Sequence, residues 1–128
     1  MTQEYKELLL KDLCARLPYG VKINESTQGD FTVIGLTTER VFTTCETEGC
    51  HNDFPIECVK PYLFPLSSLT EEEQRTLDSM CNGVEMVSRL SGLKMFDKAF
   101  NWLKENHFDY RGLIEKGLAI DATGKNIY

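Results

Sequence analysis

The sequence lacks the short motifs that mark the common catalytic and cofactor-binding classes. It contains no G-x-x-x-x-G-K-[ST] phosphate loop, no G-x-G-x-x-G dinucleotide fingerprint, no G-x-S-x-G nucleophile turn and no H-E-x-x-H zinc signature. The classes that depend on these motifs are therefore disfavoured. We expect a protein that is not an enzyme and that uses no cofactor.

Long apolar runs are also missing. No stretch approaches the roughly 18 apolar residues of a membrane-spanning helix. The first residues, MTQEYKELLLKDLC, have neither the basic start nor the apolar core of a signal peptide. The five cysteines are an odd number, which fits poorly with a closed disulfide framework. We therefore expect a cytoplasmic protein with reduced thiols and no contact with membranes.

Basic side chains are in the minority, with 14 Lys and Arg against 20 Asp and Glu and a net charge of −6. The excess of acidic residues lies mainly in residues 21–69, which contain seven acidic and three basic side chains. Proteins that bind nucleic acid without sequence preference neutralise its phosphates with Lys and Arg. This distribution therefore disfavours a nucleic-acid partner and favours a basic protein surface.

Hydrophobic periodicity changes twice along the chain. The apolar residues of EYKELLLKDLCARL have the spacing of an amphipathic helix, which Pro18 ends. Five short β-type runs follow, YGVKIN, DFTVIGL, RVFTTC, DFPIECV and YLFPL, at the spacing of a small barrel or sandwich. In LTEEEQRTL, Thr70 and Glu73 form a capping box at the start of a helix, and KMFDKAFNWLKENH predicts another.

These patterns predict a single α+β domain. It has an N-terminal helix, a small five-stranded barrel of the Src-homology-3 type and a helical C-terminal half packed on the barrel. The predicted parts are residues 1–18 (helix), 19–66 (barrel), 67–120 (helices) and 121–128 (tail). Strand alternation would place Phe54, Ile56 and Cys58 on one face. Helical spacing groups the apolar residues Met95, Phe96, Ala99, Phe100 and Leu103 into one stripe.

The stretch CETEGCHNDFPIEC, residues 45–58, concentrates residues that can ligate metals. A zinc site would use Cys45, Cys50, His51 and Cys58. Adjacent Cys50 and His51 are a strained pair of ligands for one ion, and a second tight ligand pair is missing. A thiol nucleophile at Cys50 is a further alternative, but nearby acidic residues would raise its pKa.

An exposed acidic hairpin is the interpretation that we favour for this stretch. Cys45 and Cys58 would end neighbouring strands as small buried side chains. Cys50 and His51 would lie in the exposed loop. Glu46, Glu48 and Asp53 would then form an acidic binding surface, and no metal would be bound.

Three segments, DLCARLPYGVK, VKPYLFPLSSLTEEE and WLKENHFDYRGLIEKGLAIDA, resemble a group of short proteins of phages and mobile elements of gut bacteria. The resemblance covers most of the chain except residues 31–53. It implies a phage or prophage accessory protein that acts in the bacterial cytoplasm. It implies no activity and no catalytic residue, because none is assigned for the group.

Two functions follow as hypotheses. The first is a protein-interaction module whose acidic surface binds, and could inhibit, a host or defence protein. The second is a nucleic-acid-binding accessory protein that uses a basic face of the C-terminal helices. The residues of that face would be Arg75, Arg89, Lys94, Lys98, Lys104 and Arg111. Salt-dependent binding to DNA or RNA would distinguish the second function from the first.

The hairpin interpretation predicts that a metal chelator leaves thermal stability unchanged. A structural zinc ion contributes folding energy, so its removal would unfold the domain. We expect the same melting temperature with and without chelator, and no zinc in the purified protein by mass spectrometry. One equivalent of zinc together with a chelator-sensitive melt would contradict the interpretation.

Overall fold

The computed structural model describes residues 1–45, 51–81 and 89–128, with side chains described for all of these except 81 and 89–95. The fold is α+β, and helix α1 spans Gln3–Arg16 and is followed by a 3-10 turn, Leu17–Tyr19. The first five strands are β1 (Lys22–Glu25), β2 (Gly29–Leu36), β3 (Arg40–Thr44), β4 (His51–Pro55) and β5 (Val59–Pro65). Helices α2 (Glu71–Cys81) and α3 (Arg89–Glu105) precede two short strands, β6 (Phe108–Asp109) and β7 (Ile120–Asp121). None of these helices is long and apolar enough to cross a bilayer.

The strands form one mostly antiparallel sheet in the order β4-β3-β2-β1-β5-β6, and β7 also pairs with β5. The pairs among β1 to β5 are antiparallel, whereas β6 and β7 each pair with β5 in parallel. A strand forms in each of the five predicted segments. The sheet is not closed in the described residues, so the predicted five-stranded barrel is not confirmed.

Helix α1 covers the inner face of this sheet. Its residues Leu9 and Leu13 are fully buried, one turn apart on the same side of the helix. Successive strand residues point to opposite faces, so alternate residues of β1, β2 and β3 are buried. The core also contains Val21, Ile23, Phe31, Val33, Val41, Phe54, Ile56, Val59, Leu63, Leu113, Leu118 and Ala119.

Two predicted apolar faces differ from the observed ones. Phe54 and Ile56 are buried as predicted, but residues 56–58 form a 3-10 turn, which ends the strand alternation and leaves Cys58 exposed. In α3, Ala99 and Leu103 are buried, whereas the side chains of Phe96 and Phe100 are 44% and 45% exposed. The apolar stripe of α3 is therefore wider than its buried face.

The segment after α3 is not the continuous helical region predicted from the sequence. The carboxylate of Asp109 accepts hydrogen bonds from the backbone N–H groups of Leu113 (2.9 Å) and Ile114 (3.0 Å), which closes a turn. Gly117 follows with a left-handed φ of 74°, a conformation that favours glycine. The N–H of Leu118 donates to the carbonyl of Leu113 (2.9 Å), so the turn ends there.

Residues 121–128, predicted as a tail, contact the sheet through Ala122 and Tyr128. The N–H of Ala122 donates to the carbonyl of Leu63 (2.9 Å). The hydroxyl of Tyr128 donates to the carbonyl of Tyr62 (2.8 Å) and accepts from the N–H of Lys22 (2.9 Å). The chain end is thus held by both β5 and β1.

A buried ion pair within α1 contacts the segment that follows α3. Asp12 and Arg16 have fully buried side chains, and Arg16 Nε lies 2.8 Å from Asp12 Oδ2. Arg16 Nη2 donates to the carbonyl of Phe108 (2.6 Å). Arg111 Nε lies 3.2 Å from Asp12 Oδ1, close enough for an ion pair but without hydrogen-bond alignment. Burial raises the pKa of Asp12, and the charges of Arg16 and Arg111 oppose that rise.

The substitution Asp12→Asn should destabilise the protein strongly. It keeps the shape of the side chain but leaves the charge of Arg16 buried without its counter-ion, a change that typically costs about 3–5 kcal/mol. Chemical denaturation would measure the loss. Glu7→Gln, an exposed change on the same helix, is the control and should shift the free energy of unfolding by no more than about 0.5 kcal/mol. Equal stability of Asp12→Asn and the wild type would contradict the role of the pair.

Candidate functional site

The acidic hairpin predicted from the sequence joins β3 to β4. Glu46, Glu48 and Cys50 lie outside the described residues, so this part of the prediction stays open. Asp53 is on β4 and exposed, and its Oδ2 lies 2.5 Å from Nε of Arg40 on the neighbouring strand. The charge of Asp53 is therefore balanced by a basic neighbour.

The cysteines differ from the expectation of reduced, buried thiols. Cys45 is half-buried against the core and is disulfide-bonded. Cys14 and Cys58 are free and exposed. A disulfide sulfur is not the thiolate that binds zinc, so Cys45 is not a metal ligand in this state. No three His, Cys, Asp or Glu residues of the described part of the chain are placed to hold a metal ion, and His51 is exposed on β4.

The basic residues of the alternative hypothesis are spread over several elements. Arg75 is exposed on α2, with its Nη2 3.7 Å from an oxygen of Glu71. Arg89 and Lys94 belong to α3, but their side chains are outside the described set. The prediction for Arg89 and Lys94 therefore stays open.

The remaining basic residues, Lys98, Lys104 and Arg111, do not share one helical face. Lys98 and Lys104 are six positions apart on α3, which separates them by about 120° around the helix axis. Arg111 follows β6 and is paired with buried Asp12. The nucleic-acid hypothesis thus gains no support from the described positions.

A groove of about 400 Å³ lies beside the end of α3 and the docked C-terminal residues. Its described lining combines aromatic rings with carboxylates. The aromatic residues are Phe64, His107, Phe108 and Tyr128, and the carboxylates are Glu73 and Glu105. No Lys or Arg is among the described lining residues.

His107 is positioned by the way in which α3 ends. The helix stops at Glu105, and His107 takes a left-handed φ of 64°, which is uncommon for a residue other than glycine. Its N–H donates to the carbonyl of Lys104 (3.1 Å), and its own carbonyl accepts from the N–H of Phe64 (2.8 Å). These bonds fix the backbone on both sides of the imidazole, so the ring has a defined place in the groove.

The ring of Tyr128 stacks on this imidazole. The ring centroids of His107 and Tyr128 are 3.5 Å apart and the planes differ by 9°. The Tyr128 ring also contacts that of Phe64, at a centroid distance of 6.1 Å. Burial raises the pKa of the Tyr128 phenol to about 12, so the hydroxyl stays protonated and can donate to the backbone. The residue remains 41% exposed, so part of it is accessible to a ligand.

The imidazole of His107 is kept neutral by its surroundings. Its Nδ1 is buried and has no hydrogen-bond partner in the described part of the chain. Burial, together with the positive charges of Arg16 and Lys22, lowers the pKa of His107 to about 4.

The two carboxylates of the groove are free of ion pairs with other described residues. Glu73 closes the predicted capping box, because its Oε1 accepts from the N–H of Thr70 (2.9 Å) and its N–H donates to Oγ1 of Thr70 (3.1 Å). Glu105 is exposed at the end of α3. Neither carboxylate takes part in an ion pair of the described residues. The groove is therefore aromatic and anionic, a combination that favours a cationic ligand.

Sequence reasoning misses this groove because its residues come from distant segments. Phe64 lies on β5, Glu73 on α2, and Tyr128 in the segment predicted as a tail. The one local signal is the run ENHFDY, where a polar pair and aromatic residues follow the end of a helix.

Comparison with protein-family models, with curated proteins and with solved structures finds no match. The groove must be interpreted from the chemistry of its own residues.

The low pKa of His107 can be tested by nuclear magnetic resonance. A histidine with a lower pKa in the folded than in the unfolded protein binds fewer protons when folded. Its contribution to stability is therefore complete above the ordinary value of 6.5 and is lost as the pH falls towards about 4. In the variant His51→Ala, the remaining imidazole signal should not titrate between about pH 5 and pH 8. A midpoint near 6.5 would contradict the buried, neutral ring.

Proposed function

We propose that the protein is a non-enzymatic interaction module that binds a basic surface of a protein partner. The observation that carries this proposal is the groove, where two carboxylates that form no ion pair with another described residue lie among aromatic rings. No basic side chain lines the described walls. The net charge of −6 also favours a basic partner, because long-range attraction accelerates the association of oppositely charged proteins.

The proposal includes a biological context that rests on the sequence resemblance. The protein would be an accessory protein of a phage or mobile element, acting in the bacterial cytoplasm. Its partner would be a host or defence protein with a basic site for nucleic acid, and the acidic surface would imitate phosphates. Inhibition of that partner is the expected consequence.

The scaffold and the acidic hairpin have defined roles in this proposal. We compare the five antiparallel strands with a small barrel of the Src-homology-3 type, an architecture that binds through loops and open grooves. Glu46, Glu48 and Asp53 would supply a second acidic contact near the end of the β3–β4 strand pair. The groove would be the primary contact, because its carboxylates form no ion pair with another described residue, whereas Asp53 is paired with Arg40.

The proposed function is tested by capture of the partner and by its charge dependence. Tagged protein would be mixed with bacterial lysate, and the captured proteins identified by mass spectrometry. We expect a basic protein that is released by raised salt, since exposed charges are screened within about 10 Å at 0.1 M salt. Glu105→Lys should weaken capture about tenfold through like-charge repulsion. Glu115→Lys, with the same change of net charge outside the groove, is the matched control.

Two results would contradict the proposal. Salt-dependent binding to DNA or RNA in a gel shift, without capture of a protein, would support the nucleic-acid hypothesis instead. Equal capture by Glu105→Lys and Glu115→Lys would show that the groove does not contribute to the interaction.

A further inference from the structure

We infer that the groove binds a single arginine side chain of the partner, with the guanidinium stacked against the His107–Tyr128 ring pair and facing Glu73 and Glu105. This inference rests on the proposed function in one respect, namely that a basic protein supplies the arginine. It adds the identity of the recognised side chain and the residues that recognise it.

The groove can stabilise a cation in two ways. The faces of aromatic rings carry a negative quadrupole that attracts cations within about 6 Å. Tyr128 remains partly exposed beside the groove, and its hydroxyl is bonded to the carbonyl of Tyr62 and the N–H of Lys22. The ring of Tyr128 is therefore the part left for a ligand. The carboxylates of Glu73 and Glu105 add a direct ionic attraction.

Arginine matches this site better than lysine does. A guanidinium is planar, stacks on aromatic rings, is weakly hydrated and presents five N–H donors, so it can contact a ring and two carboxylates at once. An ammonium is strongly hydrated and compact, and would lose more hydration in the same place. The chain itself contains this type of contact, because Cζ of Arg16 and Cζ of Arg111 lie 5.2 and 5.1 Å from the ring centroid of Tyr110.

The positive charges near His107 do not lie in the groove where a cation would bind. Those that act on His107 belong to Arg16 and Lys22, and the imidazole itself is neutral at pH 7. Arg16 is fully buried and paired with Asp12. The Nζ of Lys22 donates to the carbonyl of Ile127 (3.0 Å). Neither residue lines the groove, so the charges of its described wall are those of the carboxylates.

The volume of about 400 Å³ also suits this occupant. Sites for small ligands range from about 300 to 1,000 Å³. The groove is at the low end of that range, where one long side chain and its flanking backbone are a sufficient ligand.

The inference is tested with three short peptides that differ at one position, which is arginine, lysine or citrulline, in a glycine-serine background. Citrulline keeps the planar shape of arginine but has no charge. Titrations followed by nuclear magnetic resonance should shift the ring signals of His107 and Tyr128. We expect the arginine peptide to bind about tenfold more tightly than the lysine peptide, a difference of about 1.4 kcal/mol. The citrulline peptide should bind more weakly still.

A matched pair of variants locates the binding site. In Glu73→Gln/Glu105→Gln both groove charges are removed, and glutamine at position 73 can still accept the bond from Thr70 that caps α2. In Glu72→Gln/Glu115→Gln the same charge is removed from exposed residues that do not line the groove. The first variant should lose arginine-peptide affinity about tenfold, and the second should retain it. Thermal melts of both variants confirm that the fold is intact.

Each unfavourable outcome overturns a specific step. Equal binding of the lysine and arginine peptides would overturn the assignment to arginine, and equal binding of citrulline would overturn a cation site. Absence of shifts at His107 and Tyr128 would overturn the location. If Glu73→Gln/Glu105→Gln captures the lysate partner as well as the wild type does, the arginine site is wrong even if an interaction module remains the right function. If the wild type captures no basic protein, the proposed function itself fails.

Discussion

The ion pair between Asp12 and Arg16 is the interaction on which the C-terminal part of the structure depends. Both side chains are fully buried, so each charge needs the other to offset its lost hydration. Arg16 donates another hydrogen bond to the carbonyl of Phe108, the first residue of β6. Since the preceding carbonyl, of His107, is bonded to β5, this one guanidinium fixes the chain where the imidazole enters the groove. A core interaction near the N-terminus therefore determines the geometry of a surface site built mainly from the last third of the chain.

The elements that follow from local chemistry could be predicted from the sequence. Helix α1 has apolar residues at helical spacing, and α2 has a capping box in which Thr70 and Glu73 bond each other's N–H groups. Both signals act over four residues or fewer, so they are visible without knowledge of the fold. The strands of the β1–β5 region were equally accessible, because β-branched and aromatic runs alternate there with turn residues. Whether the sheet closes could not be predicted, since closure depends on how far the strands twist and bend together.

The candidate site could not be predicted, because it depends on contacts between distant residues. Strands β6 and β7 have two residues each, too few for a periodic signal, and they exist only by pairing with β5. The turn after β6 resembles a short helix in sequence, since Asp109 is a good cap, yet its carboxylate closes a loop. Likewise, the disulfide at Cys45 is not determined by an odd count of cysteines. The short strands, the turn at Asp109 and the disulfide all depend on tertiary contacts, which local sequence signals do not determine.

The hydroxyl of Tyr128 makes a contact that affects the order in which parts of the molecule can fold. It bonds the N–H of Lys22, a residue 106 positions earlier in the chain. The entropy of closing so long a loop must be overcome before the contact stabilises anything, so contacts of this kind tend to form after local ones. During synthesis, β1 to β5 leave the ribosome well before Tyr128 does. A growing chain can thus pair β1 to β5 before Tyr128 has been synthesised, and the stack of its ring on His107 can form only afterwards.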